Sequence, residues 1–370
     1  MTSAGRNSVD VSILVTTYRR PRHLGLALES IARQRLDTTK IEVVVSDDGS
    51  DDETAEVVSR FAARSGIAAR FVSQPHDGFR LARARNAAAR LARGSYLVFL
   101  DGDCMIPPHH VASHVARRRS GTALLGYCAR LTEPASRTLC PEELAAVDLD
   151  GLVPSAERRL LGRRHRKAWW RTALRHPTKP RLAGGDFGVW RDDFVAVNGF
   201  DEQFVGWGQE DDDLGLRLRA AGVRLESILD QTRSLHVWHP SDPTATRRWR
   251  DGPNVPRLAR RGRLIACRSG IMERPSRSLV WGLPATQGLD PIGQAAAAHL
   301  SAAATVPPGR PCEIEVAIAT QPVRFARPAE CRLLLVPVGH TPDPRSVAAA
   351  DQVAEVTDAA SVRRALDVAG

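Results

Sequence analysis

Apolar and polar positions alternate between two rhythms along the first part of the chain. Val11 to Thr17 is a short β-branched run and reads as a buried strand. Pro21 then opens a segment with Leu24, Leu28 and Ile31 at helical spacing. Ile41 to Ser46 is a second strand, and Asp51, Asp52 and Glu53 precede a helix carrying Val57, Val58 and Phe61. Ala68 to Val72 is a weaker strand. Leu81 to Arg93 is alanine-rich and helical, with Gly94 where a C-terminal cap is preferred. Tyr96 to Leu100 is a fourth strand, ending in Asp101. Such alternation predicts an α/β fold, a mostly parallel sheet flanked by helices. Ligands of such sheets bind beyond the carboxyl ends of the strands. Function is therefore expected in Thr16-Thr17-Tyr18, Asp47-Asp48-Gly49-Ser50 and Asp101-Gly102-Asp103.

Further on, residues 141–181 are polar and basic, helical or loop-like, and residues 183–240 regain strand and helix signals. Beyond about residue 255 the pattern changes. Residues 257–263 are basic, residues 295–304 are alanine-rich, and 312–319 and 331–338 are two β-like runs. We expect a catalytic region over 9–255, halved at 127/128, and a C-terminal extension over 256–370 containing a small accessory β module. Leu333 to Val338 has a second possibility, pairing with the main sheet.

Charge narrows the choice of partner. The 370 residues carry a formal net charge of +10, dominated by arginine, which favours anionic partners such as phosphate-bearing molecules or an acidic membrane surface. Aromatic residues are only 5% and form no RNA-stacking motif, so nucleic acid is not an expected partner. None of the six cysteines forms a CxxC pair, which excludes zinc ribbons and suits a reducing compartment. The N-terminus lacks an apolar signal core, and no stretch approaches the ~20 apolar residues that span a bilayer. A cytoplasmic location is expected, with peripheral contact at an anionic inner membrane face compatible with the charge.

The candidate chemistry is acidic. Asp101-Gly102-Asp103 ends an apolar strand, and two acids on a turn can converge on a hard divalent cation. Standing alone, the motif is more often a capped turn. Glu210 to Asp213 is a run of four carboxylates behind Val205-Gly206-Trp207-Gly208 and ahead of Leu214, Leu218 and Ala221. A helix start there stabilises acids by ~0.3–1 kcal/mol each, which accounts for one or two of them but not four. His236 and His239 lie three apart. On a regular strand they would face opposite ways, so joint ligation requires a turn.

Four separated segments carry a resemblance: VSILVTTYRR, VVVSDDGSDD, DGFRLARARNAAARLARGSYLVFLDGDC and GGDFGVWRDDFVAVNGFDEQFVGWGQEDDDLGLRL. Over roughly residues 9–250 the chain resembles family 2 glycosyltransferases of the GT-A fold. Its second half resembles the galactosyltransferase C-terminal motif of animal β-1,4-galactosyltransferases and bacterial chondroitin polymerases. The resemblance implies a UDP-sugar donor, with Thr16, Tyr18 and Asp48 at the uracil and ribose. Arg80, Arg85 and Asn86 would lie along the nucleotide and sugar phosphates, and Gly185, within Gly184-Gly185-Asp186, would let the backbone approach the donor. Asp101 would meet ribose or metal. Asp103, His239 and His236 would ligate Mn2+ or Mg2+, with His239 the stronger candidate of the two histidines. Trp207, Glu210 and Asp212 would bind a glycan or other hydroxyl-bearing acceptor, with Asp211 as general base. Where that pattern has glycine this chain has Gln209, which would narrow the acceptor site. The expected reaction is inverting glycosyl transfer. The alternatives are a nucleotidyltransferase of related sheet architecture, disfavoured by the lack of a glycine-rich loop over Val15 to Arg22, and a glycan-binding pseudoenzyme, disfavoured by the intact acids. Donor sugar, acceptor, linkage and oligomeric state are not specified by the residues.

Overall fold

The computed structural model describes residues 9–240, 250–260, 265–275, 278–283, 291–301, 303–306, 312–320, 322–325 and 329–369. It divides into an N-terminal unit, Met1–Asn254, and a C-terminal unit, Val255–Gly370.

In the N-terminal unit, strands β1 (Val11–Thr17), β2 (Ile41–Asp47) and β4 (Tyr96–Asp101) run parallel and are buried along almost their whole length. Their near-continuous apolar residues suit strands covered on both faces. β3 (Ala68–Ser73) is the parallel edge strand, and its mixture of exposed and half-buried positions explains its weaker signal. Helices α1 (Pro21–Ala32), α2 (Thr54–Ser65) and α3 (Leu81–Leu91) connect these strands. β5 (Cys104–Met105), α4 (His110–Arg117), β6 (Thr122–Leu125), β7 (Cys128–Arg130), α5 (Glu133–Arg137) and α6 (Ser155–Ala173) follow. Then come β8 (Asp186–Trp190), α7 (Arg191–Ala196), α8 (Glu210–Ala220), β9 (Arg224–Ser227) and β10 (Ser234–His236).

Two pairings bring distant sequence together. The main sheet has the order β3-β2-β1-β4-β8-β6-β9, and β8 lies antiparallel between β4 and β6. Its register sets Asp186 opposite Leu100, which delivers Gly184-Gly185 to the end of β4. Stacked Phe99 and Phe187, 4.5 Å apart, with Phe194 and Phe200 packed on them, hold that pairing from one face. A small second sheet, β5-β10-β7, pairs His236 with Cys104 and so places the histidine region beside Asp103.

Gly94 does not cap α3. The helix ends at Leu91, and a Cβ on Gly94 would stand 2.6 Å from the Ser12 nitrogen, so glycine is required there by close approach to β1.

The C-terminal unit is a separate five-stranded sheet, all parallel. Its order is β12 (Ala304–Val306), β11 (Val280–Gly282), β13 (Cys312–Ile318), β14 (Ala329–Pro337), β15 (Gln352–Val356). Helices Pro291–His299, Pro344–Ala349 and Ala359–Ala369 accompany it. Trp281, Ile314, Leu333, Leu335, Val362 and Leu366 form its core. Leu333 to Leu335 pair with β13 and β15 of this sheet, not with the main one. Among the described residues, no helix is long and apolar enough to cross a membrane.

Candidate active site

The end of β1 carries the first group. Thr16 Oγ1 lies 3.5 Å from Asp101 Oδ1 on the neighbouring strand. Tyr18 stacks on His76, with ring centroids 4.4 Å apart and 7° between planes, and the Arg19 guanidinium lies 5.2 Å from the Tyr18 ring. His76 Nδ1 is 2.9 Å from the Asp48 carbonyl, which ties this aromatic pair to the end of β2. The Asp48 carboxylate accepts from the Arg80 backbone N–H at 3.1 Å and from the Gln74 side-chain amide. Asp47 accepts from the Gly49 and Ser50 N–H groups, so it is a turn-capping residue. The Arg80 side chain turns to Asp77 at 2.6 Å. Asn86 is committed elsewhere: its amide donates to the Phe200 carbonyl and to Glu202 and accepts from the Phe200 N–H. It braces the turn before α8 and is not brought to the strand ends.

Arg85 is the hub of the second group. It is 2% exposed, not part of a solvated basic helix face. Its guanidinium pairs with Asp101 at 3.0 Å and with Glu210 at 3.3 Å, joining β4 to the start of α8. The glycine pair exists to accommodate this bridge. A Cβ on Gly184 would collide with the Arg85 guanidinium, and one on Gly185 would stand 2.7 Å from Asp101 Oδ2. Asp101 in turn donates its N–H to the Gly185 carbonyl at 3.3 Å.

Asp103 forms the third group. His239 Nε2 lies 3.2 Å from Asp103 Oδ2, and His236 Nε2 lies 3.7 Å from Oδ1. β10 ends at His236, and the turn beyond it lets both imidazoles face one carboxylate. The three ligand atoms lie within 4.8 Å of one another, a set of one oxygen and two nitrogens that a divalent cation could take. Arg20, held in left-handed backbone at φ 62°, also pairs with Asp103, at 3.2 Å. Burial alone would raise the Asp103 pKa, but His239, His236 and Arg20 outweigh it and bring it down to about 2. The hydrogen bond to Asp103 raises the His239 pKa against its partial burial.

The four consecutive acids resolve into different fates. All four occupy the first turn of α8. Asp213 is fully buried and pairs with Arg217 at 2.8 Å, an ion pair within the helix. Asp212 pairs with Arg181 at 3.0 Å, and Glu210 with Arg85. Asp211 alone of the four is only half-buried, and among the described residues it has no ion pair within 4.0 Å. Its oxygens accept N–H bonds from Gly184 at 3.2 Å and from Asp212 at 2.8 Å. Burial is the largest cause of the raised pKa values here: about 7 for Glu210, about 7 for Asp212, and upward for Asp211. Trp207 remains 37% exposed beside them. Gln209 precedes the helix in left-handed backbone, φ 78°, which explains why glycine suits this position. It is 5% exposed, so the substitution acts on the backbone more than on the width of an acceptor cleft.

His76, Arg20 and Arg181 were not anticipated. None has a motif signal, since each gains its place through a turn or a tertiary pairing rather than through spacing.

The N-terminal unit is an α/β unit with a mostly parallel sheet, and these groups gather at its strand ends. Residues 12–141 match the model of glycosyl transferase family 2. Residues 170–240 match a second model, described as the N-terminal domain of galactosyltransferase. A validoxylamine A glucosyltransferase of Streptomyces hygroscopicus subsp. jinggangensis is 34% identical over 242 residues, 58% of this chain and 52% of that protein. A chondroitin synthase of Escherichia coli is 26% identical over 231 residues, 59% of this chain and 33% of that protein. The chain thus spans about half the length of the first curated relatives it matches. The solved mannosyltransferase PcManGT from Pyrobaculum calidifontis in complex with GDP-Man and Mn2+ is 22% identical, with a TM-score of 0.43, covering 59% of this chain and 54% of that chain.

Proposed function

We propose that the N-terminal unit catalyses a metal-dependent, inverting transfer of a hexosyl or N-acetylhexosaminyl group from a UDP-sugar to a hydroxyl of a glycan, lipid-linked or small-molecule acceptor. The observation that carries this reading is Asp211, the one tetrad carboxylate with no arginine ion pair within 4.0 Å among the described residues, accepting the Gly184 N–H next to the Arg85–Asp101 bridge. A general base must be able to take a proton without first breaking an ion pair, and Asp211 meets that condition.

The Tyr18–His76 stack offers a platform for the base, with Asp48 at its edge. Asp101 and Gly185 lie at the ribose and diphosphate. Asp103, His236 and His239 fit Mn2+ or Mg2+, and the nitrogen ligands favour Mn2+. Such an ion supplies positive charge to the departing diphosphate. The exposed Trp207 face receives the acceptor ring, and Glu210 and Asp212 orient its hydroxyls. Asp211 then removes the hydroxyl proton as the oxygen attacks the anomeric carbon. The new C–O bond forms on the face opposite the breaking bond to phosphate, and UDP carries away the electron pair. With one carboxylate acting as base, no covalent glycosyl-enzyme is required.

The test is a panel of UDP- and GDP-sugars incubated with Mn2+ and candidate acceptors, read by nucleotide release and product mass. Release of UDP with a mass gain of one sugar on the acceptor supports the proposal. Pyrophosphate release would indicate a nucleotidyltransferase, and binding without turnover a glycan-binding pseudoenzyme. Preference for GDP-sugars would overturn the uracil assignment.

A further inference from the structure

Next to the strand-end groups but separate from them, three fully buried side chains converge: His110 and His114 of α4 and Asp186 of β8. His110 and His114 are one turn apart and share a helix face, the spacing by which helices present two imidazoles to one cation. His110 Nε2 lies 3.3 Å and His114 Nε2 3.9 Å from Asp186 Oδ1, and all three ligand atoms lie within 4.8 Å of one another.

The hydrogen bonding of this cluster is incomplete. Neither nitrogen of His114 has a hydrogen-bond partner, and His110 Nε2 and Asp186 Oδ1 have only each other, at 3.3 Å. Buried polar groups are rarely left this way, because each loses its hydrogen bonds to water without replacement. The charge is incomplete too. Asp186 accepts one N–H bond, from Ser234 at 3.1 Å, and among the described residues neither lysine nor arginine forms an ion pair with it. A fully buried carboxylate beside two imidazoles calls for a cation.

The surroundings are also built to fit. His110 Nδ1 lies 2.9 Å from Thr232 Oγ1, an outer partner that fixes the ring and leaves Nε2 for Asp186. A Cβ on Gly126 would collide with the Asp186 carboxylate, and one on Gly188 would stand 2.6 Å from His114 Nδ1 and collide with the Tyr96 hydroxyl. Glycine at both positions leaves room for the cluster.

We propose that His110, His114 and Asp186 bind a structural divalent transition-metal ion of the zinc class, independently of Asp103, His236 and His239. Two imidazoles and a carboxylate suit zinc, with a water in the fourth position. Bound there, the ion pins α4 to β8 immediately behind Gly184 and Gly185, whose backbone contacts Asp211 and Asp101. The site therefore positions the glycine pair and does not touch substrate.

The experiment measures metal, not turnover. The full chain is produced in zinc-supplemented medium, dialysed briefly against EDTA, and analysed by inductively coupled plasma mass spectrometry. About one zinc per chain is expected to survive dialysis in wild type and in the His236→Ala/His239→Ala variant, and to be lost in His114→Gln. Wild type without retained zinc would overturn the proposal, and so would zinc retained in His114→Gln but lost in the double variant. Because His114→Gln could fail to fold, Asp186→Asn is analysed beside it and far-ultraviolet circular dichroism is recorded for both. If neither of these variants folds, the His236→Ala/His239→Ala variant decides: zinc retained there supports the buried cluster, and zinc lost there overturns it. Failure here leaves the glycosyl-transfer reading intact, since activity is not the readout.

Discussion

Each unit is built around a mostly or wholly parallel sheet, yet among the described residues the candidate metal-ligand groups lie in only one of them. In the N-terminal unit the strand ends present Thr16, Asp48, Asp101 and Asp103, and pairing adds Gly185, His236 and His239. In the C-terminal unit the ends of β11, β13, β14 and β15 are Gly282, Ile318, Pro337 and Val356. Its buried Glu313 serves a structural partner, Arg274. Both groups of histidines and acids with metal-ligand spacing found among the described residues lie in the N-terminal unit. Among the described residues the candidate chemistry therefore gathers in the first unit, in the residues at and just beyond its strand ends.

The largest expected effect that sharpens this contrast is metal removal. EDTA is expected to abolish nucleotide-sugar turnover, and Mn2+ to restore it, with Asp103→Asn remaining inactive in both conditions. Full activity in EDTA would remove the Asp103 centre from the account. Next is Gly184→Ala, whose Cβ collides with Arg85. Overpacking of this kind costs ~1–3 kcal/mol, and displacement of Arg85 loosens both Asp101 and Glu210. A lower Tm and a raised donor KM together are expected, and a variant with both unchanged would contradict the bridge.

The third effect is a pH dependence of stability. Glu210 and Asp212 have folded-state pKa values of about 7, above their unfolded values. Their contribution is full below the ordinary carboxylate range and is lost as pH rises through about 7. The Tm is therefore expected to fall by a few degrees across that interval, on the order of what ~1 kcal/mol shifts in a domain. Asp212→Asn should flatten the slope, and calorimetry at several pH values checks it. The smallest effect is expected from ending the chain near residue 260, at the unit boundary rather than inside β11. Turnover on a small acceptor is expected to stay within about threefold of the full chain. A cooperatively melting but inactive fragment would show that the C-terminal unit takes part in the chemistry.

Much of the fold was legible because strands buried on both faces, such as Val11–Thr17 and Tyr96–Asp101, carry uninterrupted apolar runs. The site was legible where it follows those strands directly. Asp103 and the histidines could be named, but their meeting depends on the antiparallel pairing of β5 with β10, which no local pattern encodes. Arg85 lies in a helix with Arg83 and Arg90, and what sets it apart is burial between Asp101 and Glu210, which spacing does not encode. Asn86 had the same local signal and proved to be a brace for Phe200. The acidic tetrad illustrates the limit best. Spacing predicted a helix start, but which acid stays free of arginine depends on Arg85, Arg181 and Arg217 arriving from elsewhere in the fold or one turn along the helix.

Asp211 differs from its three neighbours in lacking an ion pair within 4.0 Å among the described residues, and Asp211→Asn probes that difference. Nucleotide release and UDP affinity in the presence of Mn2+ are measured side by side on wild type and variant. Turnover is expected to fall by ~10²–10⁴-fold, the usual contribution of a general base, while UDP affinity stays within about twofold. A variant that keeps more than about a tenth of wild-type turnover, or one that loses UDP binding in parallel with activity, would contradict the assignment of Asp211 as the base.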